Sequence, residues 1–235
     1  MKFKRLLILT TCLLLLLPAC GKEQDIRGTI TNDDASVSTQ ESETQPSSEE
    51  APSEESAELS LGHSNNNVYE SFFLGIGCKL DEGWTFLTDE QILEQNKLTT
   101  DLVGDQYKEA LTNASVLTDM LATGANGMDS FSIQLEKLPL SQLSVTVNQY
   151  IDACMPTVTG PLESMGLQDI VVKKESTDFL GSATPCIAIS ASFQSHSCYE
   201  LIVPIKRQNY IACIVACTWD GNTTADLISA FYEVK

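Results

Sequence analysis

Apolar positions along this chain fall into three regimes. Leu6 to Leu17 is a twelve-residue run without a charge, LLILTTCLLLLL. From Gly21 to Asn67 apolar residues nearly vanish. From Val68 to Lys235 they return, alternating between helix-like and strand-like periods. In this last regime the pattern over 68–80 predicts one or two strands, with Gly75 and Gly77 relieving a bend, and Asp81-Glu82-Gly83-Trp84 predicts a turn. Thr88-Asp89-Glu90-Gln91 has the form of a capping box, with Leu87 and Ile92 at staple positions, so a helix is expected over 89–96. A second helical stretch is expected over 105–111. Two strands, 116–122 and 130–137, should form a hairpin around Gly124-Ala125-Asn126-Gly127. Leu143, Val147, Tyr150, Ile151, Cys154 and Met155 form a helical stripe. Pro156 and Gly160-Pro161 are expected to disturb it, and Gly166 to cap what remains. Period two then takes over, predicting strands 170–176, 186–193, 199–206 and 210–219, with Gln208-Asn209 as a tight turn. Asn222 opens a last helix over 223–232, with Leu227, Ile228 and Phe231 facing the sheet.

Strands joined by tight turns and interleaved with helices imply an α+β domain with a mainly antiparallel sheet. Apolar residues make up 43% of the 235, ample for a core. The net charge of -18 excludes a nucleic-acid binder that works through clustered Lys and Arg, and it opposes electrostatic docking on an anionic membrane. Two histidines, His63 and His196, are too few for a His-built metal site. No cofactor motif is legible and no cofactor is expected.

The N-terminus has the order of an export signal. Lys2, Lys4 and Arg5 precede the twelve-residue run, which is too short for the roughly 20 apolar residues of a membrane span. Leu17-Pro18-Ala19-Cys20-Gly21 follows. This stretch resembles the bacterial lipoprotein signal, whose lipobox ends in a small residue before an obligatory Cys. The resemblance implies cleavage between Ala19 and Cys20 and a diacylglyceryl thioether on Cys20. Two acyl chains hold a protein on a membrane where one is marginal. The expected location is the bacterial cell membrane, facing the extracytoplasmic side. Residues 1–19 are then the signal peptide and residues 20–67 a tether. Between Glu23 and Ser60 there are eleven acids and one base, Arg27, among Ser, Thr, Gln and Pro. Such a segment buries too little apolar surface to offset its ordering entropy, and as a coil it spans roughly 38 Å.

The folded domain is expected over 68–235. Tyr69 to Leu80 followed by Gly83-Trp84, the Thr88-Asp89-Glu90-Gln91-Ile92 box, and Phe179-Leu180-Gly181 leading into a meander resemble the PsbP-like fold group. That group is an α/β/α sandwich around an antiparallel sheet, found in photosystem extrinsic subunits, a nuclear GTPase-binding protein and many bacterial surface lipoproteins. The resemblance implies the architecture and carries over no functional residue.

Candidate chemistry is sparse. No nucleophile elbow, zinc-binding His pair, P-loop, EF-hand loop or C-x-x-C is present, and Gly75-Ile76-Gly77 does not extend into a dinucleotide fingerprint. Asp119, Asp129 and Glu136 are placed to converge across the hairpin as a cation site or acid–base pair, or to face solvent. His196 with a Ser and an Asp is a triad on paper and otherwise a turn histidine. Trp84 and Trp219 read as core lids or ligand platforms. Six cysteines lie in the domain, at 78, 154, 186, 198, 213 and 217. Cys213 and Cys217 fall on one face of a strand roughly 13 Å apart, too far to bond each other. Cys186 with Cys198, on neighbouring strands, is a candidate disulfide, with free core thiols the alternative. The leading functional expectation is a lipid-anchored surface protein whose domain binds an envelope protein partner without catalysis. The alternatives are a carboxylate-based hydrolase and a structural accessory subunit of a membrane complex.

Overall fold

The computed structural model describes residues 58–98 and 104–234. The signal sequence, the Ala19–Cys20 junction and the tether up to residue 57 lie outside the described residues. Among those described, no helix is long and apolar enough to cross a membrane.

Among the described residues, two antiparallel sheets and four short to medium α-helices make a mixed α+β fold. The small sheet has the order β1 (His63–Asn65), β2 (Val68–Ser71), β3 (Ile76–Lys79) and β11 (Phe231–Glu233). The large sheet takes β4 (Trp84–Phe86), β5 (Val116–Gly124), β6 (Ser130–Lys137), β7 (Gln168–Phe179), β8 (Ser182–Phe193), β9 (His196–Arg207) and β10 (Tyr210–Trp219). Its spatial order is β4-β5-β6-β10-β9-β8-β7, antiparallel throughout. The helices are α1 (Asp89–Gln95), α2 (Asp105–Asn113), α3 (Val147–Ser164) and α4 (Thr224–Ser229).

The strand β10 sits in the middle and is covered on both sides. Tyr210, Ala212, Ile214 and Ala216 join the core beneath the small sheet, with Phe131, Leu135, Tyr69, Cys78 and Phe231. Ile211, Cys213, Val215 and Cys217 join the core beneath α3, with Ile151, Val158 and Leu162. This is why its sequence reads as a near-continuous apolar run. One face of the large sheet therefore carries a helix, as a sandwich requires. The other carries a second sheet together with α1, α2 and α4, where a simple helical layer was expected.

Local signals explain most elements. Thr88 Oγ1 accepts from the Gln91 N–H and Gln91 Oε1 accepts from the Thr88 N–H, closing the box that starts α1. Thr146 and Gln149 do the same for α3. The β7–β8 turn is Leu180-Gly181, both with positive φ, the geometry that matches the twist of a two-residue hairpin. Gln194-Ser195 and Gln208-Asn209 close the next two hairpins.

Four expectations need correction. The folded unit starts before Val68: β1 pairs with β2, and Leu61 is buried in the core. The helix over 147–164 is not interrupted at Pro156 or Pro161. Its buried stripe of Ile151, Val158 and Leu162 against the sheet outweighs the lost backbone bonds. The last helix stops at Ser229, and Phe231 lies in β11, paired with Cys78. Cys186 and Cys198 sit on opposite faces of the sheet, so they cannot bond each other.

Candidate functional site

The three carboxylates placed together by the sequence pattern are separated by the fold. Asp119 occupies a bulge in β5, where the register against β6 shifts between Thr118 and Met120. The extra residue turns its side chain into the interior beneath the small sheet. There Asp119 Oδ2 accepts from the Tyr69 hydroxyl at 2.5 Å and Oδ1 accepts from the Gly62 N–H at 2.6 Å. Burial raises the Asp119 carboxyl to about 6, against the opposing pull of these hydrogen bonds, one from Ser71, and the nearby His63. Tyr69 is raised well above its usual value by burial first and by Asp119 second. Glu136 lies on the other face of the sheet and accepts from the Tyr150 hydroxyl at 2.9 Å, beneath α3. Tyr150 also lies 3.4 Å from Cys213 Sγ. Burial pushes the Cys213 thiol up to about 12. Asp129, at the hairpin turn, accepts from the Trp219 N–H at 2.9 Å.

Both histidines are held by an aspartate in one repeated arrangement. His63 Nδ1 lies 2.7 Å from Asp89 Oδ2, while Asp89 Oδ1 accepts from the Ser64 N–H. His196 Nδ1 lies 2.6 Å from Asp220 Oδ2, while Asp220 Oδ1 accepts from the Ser197 N–H. The Asp220 carboxyl is held below its ordinary value by the His196 side chain and the Ser197 N–H. The two His-Ser dipeptides are visible in the sequence; the distant aspartates that receive them are not. Among the described residues neither histidine has a serine hydroxyl in hydrogen-bond range, so the paper triad at His196 is a dyad. His63 and Asp89 line a cleft of about 200 Å³ with Ser60, Leu61, Ile92 and Tyr107. That is below the usual range for small-molecule sites, roughly 300–1,000 Å³. Among the described residues no group of three or more His, Cys, Asp or Glu side chains is arranged to hold a metal ion.

Trp84 is partly buried against the core under the small sheet. Trp219 packs at the edge of the other core, ring to edge with Phe193 at 6.4 Å, as a lid would.

A different feature stands out at the end of the large sheet where β6 leaves and β9 turns into β10. Leu138 N–H donates to the Asn209 carbonyl, and Lys206 Nζ donates to the Leu143 and Val145 carbonyls. Arg207 Nε donates to the Phe73 carbonyl, and the Phe73 ring meets Tyr210 edge-on at 5.7 Å. Val116 begins β5 at the same end, opposite Glu136. These contacts bring to one end of the sheet Phe72 (61% exposed), Leu140 (88%), Leu143 and Val116, four of the six exposed large hydrophobics among the described residues. Lys137, Lys206 and Arg207 lie among them. Segments 71–75, 137–145 and 205–212 at this end contain no acidic residue in a chain with 32, and Glu136, opposite Val116, borders them. The opposite end of the sheet carries Asp81, Glu82, Asp129 and Asp220 around β4, the β5–β6 turn and the end of β10. Periodicity alone did not reveal this end, since its apolar residues come from separate turns.

No family model matches the chain, and no curated protein matches it. Among solved structures, a Pseudomonas aeruginosa protein of unknown function is similar at 13% identity with a TM-score of 0.26. The match covers 38% of this chain and spans 58% of the length of that protein.

Proposed function

We propose that this chain is a lipid-anchored bacterial surface protein whose folded module, PsbP-like in architecture, binds an envelope protein partner and performs no catalysis. The lipobox ending in Ala19-Cys20 supports the anchor and the extracytoplasmic location. The observation that carries the binding role is the placement of Phe72, Leu140, Leu143 and Val116 at one end of the sheet, the first three in segments free of acids and Val116 opposite Glu136. Exposed apolar side chains gathered at one place, with charges at the rim, are the ordinary form of a protein-binding surface. Lys137, Lys206 and Arg207 favour a partner face that is apolar at its centre and acidic at its edge. The carboxylates that a hydrolase would need are each engaged in joining elements of the fold.

The test is site-specific photo-crosslinking of the full chain in cells. A crosslinker at Leu140 or Phe72 should give one discrete protein adduct, and one at the exposed Ser176 of β7 should give none. The same adduct from all three positions, or none from Leu140 and Phe72, would remove the assignment of this surface. Anchoring is read separately: Cys20→Ser should abolish labelling by a fatty-acid probe, and a label retained on that variant refutes the lipobox.

A further inference from the structure

Cys198 and Cys217 lie on the adjacent central strands β9 and β10, on the face beneath α3. Cys198 is directly across from Trp219, and Cys217 from Glu200, so the two thiols are diagonal neighbours. Their sulfurs are 3.8 Å apart, and both side chains are buried. Of the other four domain cysteines, Cys154 and Cys213 lie near each other with the Tyr150 hydroxyl as their shared hydrogen-bond partner. Cys78 and Cys186 belong to the core on the opposite face. Cys78 meets the Met120 thioether, and Cys213 meets the Tyr150 hydroxyl. We propose that Cys198 and Cys217 form a disulfide when the chain folds in an oxidising compartment. Closing the bond brings the sulfurs together by about 1.8 Å from 3.8 Å, and for a diagonal pair this takes movement of the two strands as well as side-chain rotation. The bond staples the β9–β10 hairpin at its open end, away from the Gln208-Asn209 turn.

The oxidant is an exchanging disulfide, as in oxidised glutathione or a thiol–disulfide oxidoreductase. One cysteine thiolate attacks the donor disulfide, giving a mixed disulfide and expelling a donor thiolate. The second cysteine thiolate then attacks the protein-side sulfur, the S–S bond forms and the second donor thiolate leaves. Two protein thiols lose two electrons and two protons, and one donor disulfide becomes two thiols. Because both sulfurs are buried in the finished fold, the exchange belongs to folding, before α3 closes over the sheet.

Occurrence of this bond in the cell rests on the extracytoplasmic reading; the geometry does not, and the two are tested apart. The full chain, unfolded and reduced, is refolded with reduced and oxidised glutathione, then denatured, alkylated and mapped by mass spectrometry, with Cys12 and Cys20 scored separately. The expected product lacks label at Cys198 and Cys217, carries label at Cys78, Cys154, Cys186 and Cys213, and is about 2 Da lighter before alkylation. Its urea midpoint falls when reductant is added, whereas that of Cys217→Ala does not change with reductant. Label on both Cys198 and Cys217, or a bond that joins either to another cysteine, overturns the proposal. Protein isolated from cells is then alkylated in the same way. With the bond formed in vitro, its absence in cells would count against the location alone.

Discussion

Glu200 is a fully buried carboxyl in β9 with an orphaned oxygen, and replacing it with Gln should change how stability depends on pH. It faces the core beneath α3, between Ile189 of β8 and Cys217 of β10, with Cys198 and Ile202 as neighbours on its own strand. Its Oε1 has no hydrogen-bond partner among the described residues. Burial alone pushes its pKa from 4.5 up to about 8. The folded chain therefore holds the proton more tightly than the unfolded chain. Below pH 4.5 both states are protonated and Glu200 costs little beyond its desolvation. As pH rises from 4.5 to 8 the unfolded carboxyl ionises while the folded one does not, so stability falls across that window and levels off above it. With each unit worth about 1.4 kcal/mol, the full loss is at most about 5 kcal/mol. Glu200→Gln keeps the shape and removes the titration. Urea unfolding of both proteins at pH 4.5, 6, 7 and 8 measures the gap between them. That gap should widen steadily in favour of the Gln variant, by several kcal/mol over the series. Asp119 also titrates in part of this range, but it is common to both proteins and cancels. Two parallel stability curves would refute the reasoning and show that water or a rearrangement solvates Glu200 in the folded state.

A Cβ at Gly62 would fall against the Tyr69 ring and 2.8 Å from the Glu70 carbonyl oxygen. Gly62→Ala should therefore destabilise the fold by about 1–3 kcal/mol in denaturant unfolding. Tyr69→Phe removes the donor to Asp119 Oδ2 and should cost about 1–3 kcal/mol. The Asp119 pKa then rises further above about 6, so that loss should be greater at pH 7 than at pH 4 when measured by urea unfolding. Pro156 is exposed and within α3. Pro156→Ala restores an N–H facing the Asp152 carbonyl and should raise the unfolding free energy by up to about 3 kcal/mol; an unchanged or lower value would mean the helix has adapted to the ring.

Much of the fold was legible because local chemistry and pattern agreed. Thr88 with Gln91 announced α1, and the Gly-Ala-Asn-Gly segment announced the β5–β6 hairpin. Period two announced the long meander, although β7 and β8 begin earlier than the apolar pattern suggested. The elements that were not legible lack a local cause. The strand β1 is three polar residues, His-Ser-Asn, held by pairing with β2 and by the distant Asp89. The strand β11 has helix-forming neighbours and exists because Phe231 docks between Phe131 and Phe179, ring to edge at 5.5 Å in both contacts. The cysteine pairing turned on parity. The two-residue turn at Gln194-Ser195 puts Phe193 across from His196, so an even-numbered residue of β8 shares a face with odd-numbered residues of β9. Cys186 and Cys198 must then point apart, whereas the next hairpin puts Cys198 and Cys217 together. The site was less legible than the fold, since Asp119 depends on a bulge and the apolar end on four separated segments.

The carboxylates that first suggested chemistry have structural work that links remote parts of the chain. Asp119 ties Gly62 and Tyr69, at the start of the fold, to the middle of β5. Glu136 ties β6 to α3 through Tyr150, and Asp129 ties the β5–β6 turn to the end of β10. Asp89 and Asp220 each fasten a His-Ser pair at the beginning of a strand. Each of these groups makes hydrogen bonds that join elements of the fold. A small cleft beside His63 adds little room for a substrate. The surface at the β6–β9–β10 end shows the reverse. Leu140 and Phe72 are large side chains left in water at the tips of turns, where shorter polar residues would have served the fold equally well. Among the described residues nothing covers them, and the proposed contact with a second molecule would. That contrast, hydrogen-bonded polar groups inside and exposed apolar groups at one end, is what supports the docking role proposed above.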